Sequence, residues 1–567
     1  MKIKIILFIC TIITFSSCTD FINYNESSSY GASDVFTVYS RASQMALNIY
    51  TYLPSDFNSV GGAMRSSGCD ESEYVWPSSN IHVFYDGTWS AINTVDDVWS
   101  YYYKAIRAAN LFLEEGANQT FPDNQYVSGY NTMMVRYNNL QYEVRFLRAL
   151  FYFELLKRYG GVPLVTKVLT PDAANQLARD SYQKVSDFIV HECDTCAANL
   201  PNFYNATYNG ETGRATRAAA LALKARVLLY AASDLHNQPG ISELNGFTAG
   251  DQKQRWKDAA LAAKVLIDSG AVFKINKLTV PYDKIPNNIA LPELIFANRL
   301  PNSGTFESLN FPIGFVGGHT GNCPTQNLVD AYEMKSTGAQ FDWNNPTMTS
   351  NPYSNRDPRL ALTVVLNNTT WVDNQVAQIW QGGNSGLPLV GATNTGYYLK
   401  KYVDKNISFQ PGGVTSTRHV WVLFRYGEVL LNYAEAMNEA FGPNYTDGTF
   451  TLSAVAALNL LRSRPGLGLV PIPTTISQSD FRTKVRNERM VELAFEDHRF
   501  WDIRRWMIGP QTIAIKRTII TKDPVSGNFT YSTVTTHDRK WDDKMYFYPI
   551  SQAEIYKDKN LTQNPGW

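Results

Sequence analysis

The sequence carries no surplus of charge of either sign: 51 Lys and Arg stand against 51 Asp and Glu in 567 residues. A protein that grips nucleic acid needs an excess of cations to replace the phosphate counterions, so a nucleic-acid partner is excluded. The same balance gives no reason for attraction to anionic lipid. Cysteine is scarce. Beyond Cys10 and Cys18 only Cys69, Cys193, Cys196 and Cys323 remain, too few for a disulfide scaffold, so the core must hold itself together. Cys193 and Cys196 follow His191, which invites a redox or zinc reading. They lie within a helical pattern (Val185, Phe188, Ile189, Cys193, Cys196, Leu200) and no second ligand pair has matching spacing, so two small buried side chains on one helix face are expected. There is no His-Glu-x-x-His, no Gly-x-Ser-x-Gly and no phosphate-cradling glycine loop, and the seven histidines are scattered. No acidic run has calcium-loop spacing. Catalytic residues, a resident metal and a cofactor are therefore not expected. After the first residues no stretch reaches the roughly twenty apolar residues of a membrane-spanning helix.

What the sequence does have begins at its start. Lys2 and Lys4 precede an apolar run from Ile5 to Phe15, which is too short to span a bilayer and reads as a secretion signal. Phe15-Ser16-Ser17-Cys18 resembles a bacterial lipobox, with Phe15 where Leu is usual, and implies an acylated Cys18. The alternative is an ordinary cleaved signal with an incidental cysteine. Residues 1–17 are thus assigned to the signal and 18–33 to a lipidated tether, polar and Gly/Ser/Asn-rich from Tyr24 to Ser33. Aromatic residues reach 13%, with 33 Tyr and 12 Trp, more than a core readily absorbs, so some are expected to meet solvent or a ligand.

Helical periodicity runs from Phe36 to Tyr52, Asp96 to Glu115, Tyr137 to Tyr159, Ala218 to Ala232, Trp256 to Ser269, Phe424 to Glu439 and Leu452 to Arg464. Gly160-Gly161 and Pro163 end the third of these. Small residues and short turns suggest stacked helix pairs, although no regular 34-residue repeat is visible. Between Ile295 and Phe424, Gly, Pro, Asn and Thr dominate and apolar runs are short (Leu360 to Leu366, Ile379 to Trp380, Tyr397 to Tyr402). The fold class expected is mostly α: a tetratricopeptide-like scaffold over about 34–294 and 420–567, with a loop-rich region over about 295–419 carrying a few strands. Loops on a rigid scaffold are where binding residues tend to sit.

Five segments, in order, resemble the SusD/RagB family. They are Tyr142 to Leu164 (YEVRFLRALFYFELLKRYGGVPL), Arg214 to Arg226 (RATRAAALALKAR), Arg356 to Arg359 (RDPR), Arg425 to Ala436 (RYGEVLLNYAEA) and Asn487 to Trp506 (NERMVELAFEDHRFWDIRRW). The ending, Tyr548-Pro-Ile-Ser-Gln-Ala-Glu554 through Asn564-Pro-Gly-Trp567, is also typical. The resemblance implies an outer-membrane lipoprotein on the outside of a Gram-negative cell, with four tetratricopeptide-like helix pairs. It implies a lid that passes captured glycan to a SusC-type TonB-dependent transporter. Peptide cargo with the same lid role is the alternative, and a glycoside hydrolase on a helical scaffold is a third reading.

The hydrolase reading draws on Glu488, Glu492 and Glu496 with Asp497, His498 and Asp502, since paired carboxylates perform that reaction. The three Glu fall at four-residue steps on one helix face, and interleaved Arg482, Arg486, Arg489, Arg499, Arg504 and Arg505 offer partners, so an ion-pair network is expected. Sugars need a ring platform for their apolar face and fixed polar groups for their hydroxyls. The loop from Ser66 to Asn80 offers both: Trp76 to stack, and Asp70, Glu71 and Asn80 to hold hydroxyls, unless Trp76 is packed under the next loop. Phe306 to Asn322 contributes Phe315 as a candidate, and Arg356 either donates to the ligand or pairs with Asp357 or another buried acid. Trp89, Trp99, Trp501 and Trp506 read as core, whereas Trp343, Trp371 and Trp380 stand outside the matched segments.

Overall fold

The computed structural model describes residues 31–202, 213–269, 273–275 and 291–567. The signal, Cys18 and most of the tether lie outside the described residues. Among the described residues no helix is long and apolar enough to cross a membrane.

The scaffold starts with helices α1 (Tyr39–Asn48), α2 (Trp99–Leu111) and α3 (Tyr130–Tyr159). Strand β1 (Ser72–Tyr74) falls in the loop between the first two. Helix α3 starts well before the periodicity indicates, because Gly129 at φ 86° opens it ahead of a polar, exposed first turn. From Phe146 to Tyr159 every side chain is buried, as the all-round apolar sequence requires. Its end depends on two glycines. A Cβ at Gly160 would lie 2.4 Å from the Leu244 carbonyl oxygen and one at Gly161 2.1 Å from that of Asp180. Arg179 then donates to the Tyr159 and Gly161 carbonyls that the helix leaves open.

Helices α4 (Tyr182–Asn199), α5 (Arg217–Ala232) and α6 (Gln252–Asp268) follow, with Ser181, Thr216 and Asp251 side chains accepting from backbone N–H groups at their starts. Helix α4 packs on α3 and α5, and α5 on α6, which in turn packs on α7 (Tyr426–Phe441). Ala218, Ala219, Ala220, Ala222 and Ala225 keep α5 thin enough to lie between its neighbours. Helices α8 (Ala454–Arg462) and α9 (Gln478–Glu492) close on α7, and α10 (Arg499–Arg505) follows. This is the stack of helix pairs expected. Cys193 and Cys196 are buried in α4 and free, in keeping with the helix-face reading.

Strand β2 (Leu294–Ser303) pairs antiparallel with β4 (Thr417–Arg425), and β3 (Asn322–Pro324) completes a short antiparallel ladder with β1. Periodicity places Phe424 at the start of a helix. It lies in β4 instead, because pairing with Phe296 holds it extended, and α7 starts at Tyr426. The run from Leu360 to Leu366 begins as a helical turn (Arg359–Thr363) before it becomes a strand. A long hairpin, β5 (Ala514–Lys522) with β6 (Phe529–Asp538), has no counterpart in the sequence reading, since its outer strand is polar and mostly exposed.

Charge is concentrated in the interior where α9 ends. Glu492, fully buried, accepts from Arg359 (2.7 Å), Arg425 (2.8 Å) and Arg464 (2.5 Å). Arg425 also reaches Glu293 and Glu496, and Glu488 pairs with Arg359 and Arg462. Burial alone would raise the Glu492 carboxyl, but Arg464, Arg425 and Arg359 outweigh it and hold it well below the carboxylate range. The expected ion-pair network is present, with two corrections. Helix α9 stops at Glu492, and Glu496 lies beyond it between Phe495 and Asp497, both left-handed. The three Glu take their partners from residues distant in sequence, whereas interleaved Arg489 and Arg505 pair with Asp502 of the same run as expected, and Arg482 serves elsewhere, on Glu439.

Candidate ligand-binding groove

The β1–β3 ladder carries the chain from the core to a groove at the surface. Tyr74 lies opposite Asn322, and one residue on Val75 N–H donates to the Gly321 carbonyl. That contact delivers Trp76 to the mouth of a depression of about 670 Å³. The indole is fixed from two sides. Its Nε1–H donates to the His319 carbonyl at 2.7 Å, while a Cβ added at Gly391 would stand 3.0 Å and 3.1 Å from Cη2 and Cζ2. Trp76 is half-buried, so part of the ring remains open to the groove.

Three stretches complete the walls. Gly61, Tyr74, Ser78 and Ser79 flank Trp76; Gly304, Thr305, Ser308 and Leu309 form a second side; Phe409 and Val414 to Ser416 form the third. Phe409 meets Phe311 edge-on at 5.6 Å between centroids. Gly317, at φ 75°, lies so close that a Cβ there would stand 2.6 Å from the Phe409 Cβ. Ser78, Ser308 and Ser416 line the groove, and among the described residues their hydroxyls make no hydrogen bond within the protein. The result is a lining of Trp76 and Phe409, with Tyr74 beside Trp76, that also presents hydroxyls and apolar Leu309 and Val414. Gly317→Ala is expected to cost about 1–2 kcal/mol for the left-handed backbone and to push Phe409 out of place. Urea unfolding measures the first effect, and ligand affinity reports the second.

The residues singled out from sequence divide sharply. Trp76 lines the groove, and Asn80, exposed, presses its amide against the Gly61 turn at the rim. Asp70 and Glu71 face the opposite way and are buried, so they are not available to hydroxyls. Both oxygens of Asp70 accept from Arg499, at 2.8 Å and 2.7 Å, and Glu71 accepts from the Phe495 N–H at 3.0 Å. Both lie in the turn between Arg65–Gly68 and β1, where Arg499 and the Phe495 N–H pin the loop to the α9–α10 junction. Phe315 is buried, 5% exposed, and lies outside the groove lining. Arg356 fits neither of its two readings. Its guanidinium donates to the Val329, Tyr332 and Pro352 carbonyls and lies over the Phe341 ring, while Asp357 is paired by Arg359. Trp89, Trp99, Trp501 and Trp506 are core as expected, and Trp371 is buried as well. The candidate loop Phe306 to Asn322 does line the groove, through Ser308, Leu309 and His319 rather than Phe315, whereas Phe409 and Val414 to Ser416 escape the sequence reading; their one signal is an aromatic and hydroxyls around Gly412-Gly413 in a loop.

Burial pushes the Glu71 carboxyl up to about 8, against the pull of the Phe495 N–H. A raised carboxyl binds a proton that the unfolded chain releases near 4.5, so its contribution is full below 4.5 and is lost as pH rises through 8. Glu71→Gln keeps the accepting oxygen and removes the titration. Unfolding by urea across this range is expected to show the variant gaining on the parent protein toward pH 8 and matching its pH trend below 4.5.

A second depression of about 360 Å³ lies beside α2, lined by Tyr103, Ile106, Pro163, Val165 and Leu177 with Lys104 and Arg107 exposed at its edge. It is chiefly apolar, and the Tyr103 hydroxyl is committed to the Pro163 carbonyl.

Comparison with known proteins gives a consistent family. A model of the SusD family matches residues 292–567, and a second model, described as starch-binding associating with outer membrane, matches residues 37–229. A solved SusD-like protein from Bacteroides fragilis NCTC 9343 superposes with a TM-score of 0.76 at 26% identity, over 94% of this chain and 98% of that one. A SusD-like carbohydrate-binding protein from the same strain gives 0.74 at 25% identity, over 93% of this chain and 100% of that one. SusD-like protein P38 of Formosa agariphila is 24% identical over 423 residues, 72% of this chain and 71% of its own length.

Proposed function

Because this chain belongs to the SusD/RagB family, we propose that it is a cell-surface protein that captures oligosaccharide in the Trp76–Phe409 groove and releases it unchanged. The observation that carries the reading is the fixation of Trp76. A ring locked by the His319 carbonyl at one edge and by Gly391 at the other is a platform formed before the ligand arrives, so little entropy is lost in stacking. Hydroxyls on the remaining walls supply the polar contacts that a sugar requires. The carboxylates nearest in sequence, Glu73, Glu71 and Asp70, are buried, and among the described residues no carboxylate lines the groove to flank a scissile bond. Binding alone is the mechanism this arrangement supports.

In this reading acyl chains on Cys18 hold the protein at the outer membrane, the polar tether gives it reach, and the helical stack is the rigid body that docks on a SusC-type TonB-dependent transporter. Cargo moves down by release from an open groove. Such grooves bind at roughly micromolar to millimolar, about −8 to −4 kcal/mol, weak enough to let go.

Calorimetric titration of the chain without its first 18 residues, against plant, fungal and mucin polysaccharides and mixed peptides, tests the assignment. Reducing ends are assayed in the same tubes. Saturable heat with one glycan class and unchanged reducing ends is expected. Heat with peptides alone would transfer the cargo to peptide, and new reducing ends would make the protein a hydrolase.

A further inference from the structure

The charge on the walls of a sugar groove decides which class of glycan can enter it. Building on the glycan reading of the Trp76–Phe409 groove, we propose that it selects uncharged sugars and excludes those bearing uronate carboxylates or sulfate esters. The walls combine aromatic rings (Trp76, Phe409), aliphatic side chains (Leu309, Val414) and the hydroxyls of serine and threonine. Not one Lys, Arg, Asp or Glu lines it among the described residues, in a chain where 18% of residues are charged. His319 contributes its backbone carbonyl to fixing Trp76.

The charges in the adjoining segments are already engaged or stand outside the lining. Glu307, in the same helical turn as Thr305 and Ser308, is buried, accepts from the Asp404 N–H and pairs with His419. Arg418, opposite Asn302 on β4, is exposed but does not line the groove. Recognition of a carboxylate or sulfate uses the fork of Arg or the point charge of Lys, because an anion taken from water without a cation partner keeps its full desolvation cost. A neutral pyranose loses only hydroxyl hydration, which the serine and threonine side chains replace, and its apolar face gains the indole.

An array of neutral, uronate-bearing and sulfated oligosaccharides, probed with the full mature chain, tests this. It is repeated with Trp76→Ala and Phe409→Ala, each first checked for an unchanged far-ultraviolet spectrum. Two variants on separate loops keep the test open if one fails to fold. The expected result is that every glycan whose signal either variant removes is neutral. Carboxyl-reduced or desulfated forms of an anionic glycan are expected to bind at least about tenfold better than their parents, a difference of about 1.4 kcal/mol. Raising salt from about 50 to 500 mM is expected to leave the groove-dependent signal within twofold. An anionic glycan held through Trp76, or tenfold loss with salt, would overturn the selection while leaving the glycan reading intact. No groove-dependent glycan of any class would overturn both.

Discussion

Glu492→Ala is expected to lower the unfolding free energy by about 3–5 kcal/mol, the cost of leaving a buried cluster of cations one carboxylate short. Arg359, Arg425 and Arg464 converge on that one carboxylate from the RDPR segment, the end of β4 and the turn after α8. Removing it leaves three guanidinium groups, each nearly inaccessible to water, beside a cavity that solvent enters only by disturbing the packing. Urea unfolding followed by tryptophan fluorescence measures the loss. Glu492→Gln, which keeps the shape, should recover part of the packing and little of the energy. A change below about 1 kcal/mol in the Ala variant would mean that the carboxylates the arginines also reach, Asp357, Glu488, Glu293 and Glu496, suffice without Glu492. The same chemistry sets the acid limb. Burial opposes ionisation of Glu435 and Glu154, but arginine and lysine neighbours hold each down to about 2, against an ordinary value of 4.5. Depressed carboxyls contribute stability that is complete above 4.5 and is lost as pH falls toward 2, so acid unfolding is expected within that window.

Trp76→Ala carries the second large effect. An anchoring tryptophan at the centre of a binding surface is typically worth about 2 kcal/mol or more, so affinity for the cognate glycan is expected to fall by about thirtyfold or beyond detection. Stability should change far less than in the Glu492 variant, because the side chain is only half-buried and its single hydrogen bond goes to a loop carbonyl. Trp76→Phe keeps a ring but loses the donor to His319, and is expected to fall between. This split separates the two roles of tryptophan here: Trp89, packed against Phe84, Tyr548 and Trp567 in the core, would show the reverse pattern on substitution.

The scaffold was legible because its signals are local. Apolar periodicity, the Ala-rich α5 and the Gly160-Gly161 stop each encode a helix or its end without reference to distant residues. Where pairing with a remote strand decides, the local signal misleads: Phe424 looks helical until Phe296 lies beside it. The groove was legible only in part, for a related reason. Trp76 was visible as an aromatic in a polar loop, but which face of that loop points inward depends on Arg499 and Phe495, more than 400 residues away. Asp70 and Glu71 therefore read as ligand contacts when they are anchors. Arg356 gave no hint that its targets are backbone carbonyls, since carbonyls leave no trace in composition. Phe409 became part of the site because Gly304 and Gly317 allow its loop to close on the rest, a long-range fit that no spacing rule expresses.

Whether ligand lies between Trp76 and Phe409 is read most directly from a crystal structure of the mature chain with whichever oligosaccharide gives saturable heat. The expected result is a sugar ring stacked on the open face of the Trp76 indole, with hydroxyls within hydrogen-bonding distance of Ser78, Ser308 or Ser416. Sugar bound instead in the depression beside α2, or anywhere that leaves the Trp76 face exposed to solvent, would contradict it.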